Sequence, residues 1–267
     1  MWVGQLRLDF ERSGDKTVLA RRRHRGPLLV QRAFYEPDGG CQVYLLHPPG
    51  GIVGGDQLSL DVVTHPLARA LVTTPAATKI YRTLQVPSLQ EQRFQVADGA
   101  SFEWLPQEAI VYAGARARSR TSIRLGAGSQ FFGWDVTCLG HDHRGFSHGR
   151  FVQEWQLERE GHLCWSERAV FDGGGPALTA AWGLAGRTVV GTLVATGARA
   201  EHVHAVRASF PESHPDWLSV TQLGEVLICR YLGYSAEAAK RVFSRVWAIL
   251  RQAMSGRKAH YPRVWAT

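Results

Sequence analysis

Residues 120–140 read RTSIRLGAGSQFFGWDVTCLG. Two short runs of alternating or continuous apolar residues flank a G-A-G stop. Neither run is long enough for a helix with a helical apolar stripe, and both are rich in β-branched and aromatic side chains. The same pattern extends outward from Gly26 to about Phe171: GPLLVQRAFY, CQVYLLH, QLSLDVVTH, ARALVTT, EQRFQVADG and SFEWLP before it, RFVQEWQLEREG and HLCWSERAVF after it. Glycine and D-G punctuation closes each run. The expectation is a mainly β fold of many short strands in stacked layers, either a sandwich or an irregular β-helix-like stack. No segment recurs at a fixed period, so a regular solenoid is not supported.

Two α-helices are expected toward the C-terminus. From Ser235 to about Met254, Ala239, Val242, Phe243, Val246, Trp247 and Leu250 recur at helical spacing behind a serine N-cap. A shorter one is expected over residues 197–210. The segment ALTAAWGLAGRTVVGTLVATGA (177–198) is long and poor in charge, but Arg187 at its middle would cost roughly 3 kcal/mol in a bilayer. Two buried strands joined by a turn are the expectation there. No linker divides the chain, and a single domain over 1–267 is expected, with the basic segment 1–25 least defined.

The 267 residues carry 31 basic and 23 acidic side chains, a formal charge of +8, with 45% hydrophobic content that can fill a sizeable core. Such a balance favours acidic partners. Asp9 and Glu11 interrupt the first residues and no apolar stretch follows a basic start, so a cytoplasmic location is expected. Cys41, Cys138, Cys164 and Cys229 are far apart with no C-x-x-C pair, as buried free thiols would be.

The glycine loop GGIVGGD offers Gly50, Gly51, Gly54 and Gly55. It lacks the lysine and hydroxyl of a phosphate-binding loop and sits between strands rather than before a helix. Its glycines fit a sharp structural turn. Asp56 closes the loop, either as a turn cap or as a carboxylate presented to a cavity. Glu103, Asp135 and Glu167 lie inside apolar runs, where an acid is either on the solvent face or, if inward, paired, protonated or lining water. HDHRGFSHG supplies His141, His143 and His148, imidazoles close enough in sequence for Ni²⁺ or Zn²⁺, though a solvated turn reads the same way. ARRRHRG (20–26) is a basic cluster without interleaved aromatics. No G-x-S-x-G or supported nucleophile appears, so no catalytic constellation is expected.

Six collinear segments together resemble one family: LLHPPGGIVGGD (45–56), TPAATKIYR (74–82), EWLPQEAIVYAGARA (103–117), WDVTCLG (134–140), FSHG (146–149), and VFSRVWAILR with PRVWAT (242–251 and 262–267). They are similar to the urease accessory protein UreD family, also called UreH. The resemblance implies a layered β fold with two helices and a non-enzymatic role. It also implies partners, namely the urease apoprotein and the accessory proteins UreF and UreG, the latter a GTPase. No permanently bound cofactor is implied; Ni²⁺ passes through in transit, by a water-filled internal tunnel. Asp56, Glu103, Asp135 and Glu167 are then the candidate acids along that path, since oxygen ligands suit a weakly held cation. HDHR departs from the family pattern, so any role of His141 and His143 belongs to this chain. The competing expectation is a basic β-rich nucleic-acid-binding domain resting on ARRRHRG.

Overall fold

In a computed structural model that describes residues 1–83, 86–140, 145–210 and 216–266, the chain shuttles between two stacked sheets. The strands begin β1 (Val3–Ser13), β2 (Lys16–Arg25), β3 (Leu29–Val30), β4 (Phe34–Tyr35), β5 (Cys41–Leu46) and β6 (Gln57–Thr64). They continue β7 (Arg69–Thr73), β8 (Thr78–Ile80), β9 (Ser88–Val96), β10 (Ser101–Leu105), β11 (Ala109–Val111) and β12 (Arg116–Leu125). The last are β13 (Gln130–Leu139), β14 (Arg150–Arg159), β15 (His162–Asp172), β16 (Val189–Thr196), β17 (Trp217–Leu223) and β18 (Val226–Gly233). Helices α1 (Ala200–Ala208) and α2 (Ala236–Ser255) complete the fold.

Sheet 1 has the order β15-β14-β12-β9-β6-β1-β2, and sheet 2 the order β17-β18-β16-β13-β10-β7-β5-β3. From β5 to β14 the chain passes back and forth between the sheets, the short strands β8 and β11 following β7 and β10 on sheet 2, and the long strands pair in parallel within each sheet: β6 with β9, β9 with β12, β12 with β14, and likewise β5 with β7, β7 with β10, β10 with β13. This is an irregular stack of coils. The sequence step between register partners changes at every rung, from Gln57 to Leu89, Ser88 to Ala117 and Arg116 to Arg150. The repeat exists in space and not in sequence.

The amino-terminal 25 residues, the least defined part of the sequence, form the hairpin β1–β2. Leu6, Leu8 and Phe10 alternate into the core, and β1 enters sheet 1 parallel to β6. The segment 177–198 does not form two strands. Residues 177–188 are turns, with Ala185 and Gly186 in the left-handed region, and only β16 is extended. A glycine-rich apolar run can satisfy its backbone by local bonds such as Leu184 N to Ala177 O at 2.8 Å. Arg187 stacks on the Trp217 ring at 3.8 Å. No helix among the described residues is long and apolar enough to cross a membrane.

Helix α2 lies on the outer face of sheet 2. Ser235 Oγ accepts from Ala238 N at 3.2 Å, and Gly256, at φ 67°, ends it with a bond to Gln252 O. Its buried stripe is Ala239, Val242, Phe243, Val246, Trp247 and Leu250. At about 1.5–3 kcal/mol for each large side chain, that stripe contributes on the order of 10 kcal/mol. Between the two sheets the apolar core is split. One cluster centres on Phe94, Phe102, Phe131 and Trp155; the other on Val111, Leu139, Phe151 and Phe171.

Candidate functional site

What separates those two clusters is a band of polar side chains crossing both sheets at right angles to the strands. On sheet 1, register places Gln90, Ser119 and Gln153 side by side, and on the next inward row Gln92, Thr121, Trp155 and Glu167. On sheet 2, Asp135, Thr192 and Arg230 are cross-strand partners, with Thr137 one inward step along β13. Strands β12 and β14 are apolar above and below the band: β12 runs from Ala117 through Ser119 and Thr121 to Ile123, and β14 from Phe151 through Gln153 to Trp155 and Leu157.

Asp135 is its central charge. Trp155 Nε1 donates to Asp135 Oδ2 at 2.6 Å, and Gln153 Nε2 donates to the same oxygen at 2.9 Å. Burial pushes the Asp135 carboxyl up to about 7, against the pull of these two donors. Asp135 is enclosed by protein yet keeps some accessible surface, because it faces a cavity of about 80 Å³ between the sheets. Gln90, Gln92, Ser119, Thr137 and Gln153 line the same space, which is polar and roomy enough for several waters. From Asp135 the band runs to Thr192, whose hydroxyl donates to Glu167 Oε1 at 3.5 Å, and Glu167 is ion-paired with the partly exposed Arg230. At the opposite side, Gln90, Thr74 and Thr78 also line a second, larger recess of about 370 Å³, bounded by His47, Pro48 and Gly50. Burial lowers the His47 pKa, with Asp56 opposing.

The four acids singled out by sequence therefore do not share one space. Asp135 and Glu167 flank Thr192, the first as its cross-strand neighbour and the second as the acceptor of its hydroxyl. Glu103 points the other way, beneath α2: its Oε1 lies 3.1 Å from Arg251 Nε and its Oε2 accepts from Trp247 Nε1 at 3.2 Å. Arg251 also pairs with Glu36, which accepts from Gln42 Nε2 at 2.8 Å and meets Arg257 at 3.3 Å. Burial works against the Arg251 charge, and Glu103 and Glu36 outweigh it, so the guanidinium holds its proton more tightly than usual. Asp56 caps its loop: Oδ1 accepts from Trp2 N at 2.8 Å and Oδ2 from Val53 N at 3.0 Å.

The glycine loop stacks on the next rung. Ile52 bridges Ile80, and Ile52 N donates to Lys79 O at 2.7 Å. A side chain at Gly51 would meet the Tyr81 ring and one at Gly54 the Thr83 hydroxyl, while Gly50 and Gly55 hold φ of 75° and 84°. His148 is exposed, with Nδ1 3.1 Å from Ser147 Oγ; His141 and His143 lie outside the described residues. No group of three or more metal-ligating side chains occurs among the described residues. Cys41 and Cys229 are buried and Cys138 half-buried, and burial pushes the three thiols up to about 12, 12 and 11, far from thiolate at neutral pH.

Sequence reading passed over Gln90, Ser119, Gln153, Thr192 and Arg230. Polar residues at inward positions of consecutive strands are the signal, and it becomes visible only once register is known.

A family profile described as UreD urease accessory protein matches residues 3–266. Urease accessory protein UreD of Dechloromonas aromatica (strain RCB) is 43% identical over 274 aligned positions, covering 100% of this chain and 95% of the relative. Urease accessory protein UreD 2 of Brucella anthropi is 40% identical, covering 100% of this chain and 98% of that one. The UreD of Pseudomonas paraeruginosa is 41% identical, covering 100% and 95%. The chain belongs to the UreD urease accessory protein family.

Proposed function

We propose that the chain is a non-catalytic, cytoplasmic subunit of the urease maturation machinery. It binds the urease apoprotein and the accessory proteins UreF and UreG, and Ni²⁺ crosses it along the polar band on its way to the urease active site. Family membership supports the maturation role. The observation that carries the finer reading is the band itself. A core that is dry and apolar above and below is interrupted by a lane of carboxylate, hydroxyl and amide oxygens beside a cavity. Desolvating such groups is costly, so a purely structural interior would not be expected to keep them in a line. Oxygen donors with incomplete coordination hold Ni²⁺ loosely enough to release it, where thiolates or clustered imidazoles would retain it. In this reading Asp135 and Glu167 are the stations at which charge meets the cation, and Thr192 is the oxygen between them. Glu103 and Asp56, held by Arg251 and by backbone N–H groups respectively, are outside the lane.

The test measures nickel per urease active site after co-expression of the urease subunits and the other accessory proteins, with and without this chain. Loading collapses without it at unchanged subunit levels. Asp135→Ala combined with Glu167→Ala loses most of the nickel while the accessory complex still assembles. Unchanged loading by that double variant in an intact complex would falsify the path through the band and leave the maturation role standing.

A further inference from the structure

At the end of the stack opposite the glycine loop, the rungs close in tight turns, and these turns border a groove of about 540 Å³. Its polar lining is Arg12, Arg69, Ser101, Gln130, Ser255 and Arg257, and among the described residues no acidic side chain lines it. The rest is turn backbone at Gly14, Gly99 and Gly128, with the apolar side chains of Leu67 and Ala100. Three guanidinium groups, two hydroxyls and an amide thus converge on one concave surface.

The acids that balance these cations lie behind them. Arg257 Nε is ion-paired with Asp38, its NH2 lies 3.3 Å from Glu36, and its NH1 reaches Ser101 Oγ at 3.4 Å. Arg69 donates through NH2 to the Asp38 carbonyl, whereas its Nε is buried and has no partner among the described residues. Arg12 donates through Nε to Gly14 O at 2.7 Å, and no bond from its terminal nitrogens is formed within the described residues. Burial above all, then the neighbouring charge of Arg257, holds Arg69 below its ordinary pKa, with Asp38 and Glu36 opposing.

We propose that this groove is an oxyanion site that takes a phosphate group, free or carried on a larger molecule, between Arg12, Arg69 and Arg257. The planar forks of arginine match phosphate oxygens in pairs, and the Ser101 hydroxyl and Gln130 amide supply donors in the remaining directions. Occupation would tie the β1–β2 hairpin, the turn before β7 and the residues after α2 to one ligand. The groove is separate from the polar band, so the proposal stands whether or not nickel follows that band.

The experiment titrates the full-length chain with inorganic phosphate at constant ionic strength, by ³¹P NMR line broadening and by thermal melting, with chloride as the matched control. Saturable broadening is expected, together with a rise in melting temperature that chloride does not give, since a ligand of the folded state stabilises it by mass action. Arg12→Ala removes an exposed side chain that packs no core, and it should weaken phosphate roughly tenfold, the size of one lost charge-assisted bond. Arg69→Lys keeps the charge and removes the fork, and should weaken it similarly. Pyrophosphate and ATP form the second arm: tighter binding than phosphate assigns the site to a carried phosphate group, equal binding to the free ion. Equal shifts with phosphate and chloride, or unaltered phosphate binding in Arg12→Ala and in Arg12→Glu, would overturn the proposal.

Discussion

The molecule buries two ionic groups on opposite faces of the same sheet, and they differ in whether a counter-charge or a cavity accompanies them. Beneath α2, Glu103 and Glu36 share Arg251 with Trp247, Gln42 and Arg257 around them, and the space enclosed has no room for water. Between the sheets, Asp135 draws two donors to one oxygen, has no basic partner among the described residues and faces a cavity. Burial of charge is common to both and says little about function. The discriminating property is whether the surrounding protein has closed the group off. A charge-paired cluster with no space beside it anchors one element to another, here the helix and carboxy-terminal segment to the stack. A carboxylate without a counter-charge beside a cavity keeps capacity for something that is not protein.

That contrast can be broken most severely at the anchor. Arg251→Met leaves Glu36 and Glu103 facing each other without their shared cation, and should cost about 3–5 kcal/mol in urea unfolding. A cost near zero would mean that the cluster beneath α2 is no more committed than the band.

The band should respond with the opposite sign. The folded-state pKa of Asp135 lies near 7, above its unfolded value of 3.8, so the native chain holds a proton that the unfolded chain releases. Its contribution is favourable below the unfolded pKa and is lost as pH rises from about 4 to 7. Asp135→Asn can keep accepting from Trp155 and Gln153 without carrying charge. It should flatten stability across that window and raise it at pH 8 by on the order of 2 kcal/mol, while nickel loading falls. A variant that is less stable at pH 8 would put Asp135 in the same class as Glu103.

The smallest effect concerns the tight turns. Leu67 occupies φ 61° where the neighbouring rungs place Gly14, Gly99 and Gly128 at 61°, 62° and 62°. Leu67→Gly should stabilise by about 0.5–1 kcal/mol, relief of the left-handed strain outweighing glycine's added chain entropy. Thermal melting measures it, and a loss of stability would show that Leu67 packs to more purpose than its exposure suggests.

Legibility from sequence followed burial geometry. Helix α2 could be read residue by residue, because one face is buried and one solvated. Strands of sheet 1 were legible for the same reason: β6 alternates strictly between Leu58, Leu60, Val62 and more exposed neighbours. Sheet 2 lies between sheet 1 and the helices, so β7, β10 and β13 are buried on both faces and their sequences do not alternate. Glu103 and Asp135 therefore looked alike in sequence, although β10 aims one at α2 and β13 aims the other at the cavity. The six matching segments pointed to the family, but Gln90, Ser119, Gln153 and Thr192 lie apart in the chain, and only register sets them in a row. Residues 177–188 misled because an apolar, glycine-rich run can close on itself in turns as readily as it can extend.

Finally, the two ends of the stack have unequal tolerance for change in length. On one side the rungs close through short turns, from Thr64 to Arg69, Val96 to Ser101 and Leu125 to Gln130; on the other they close through longer connections, from Leu46 to Gln57, Leu105 to Arg116 and Leu139 to Arg150. One residue inserted in a short turn would shift the strand that follows and turn its inward side chains outward. An insertion in a long connection can be absorbed before the next strand begins. Lengthening should therefore accumulate on the long-connection side alone, where chains of this fold can acquire new contacts without disturbing the rows of side chains within.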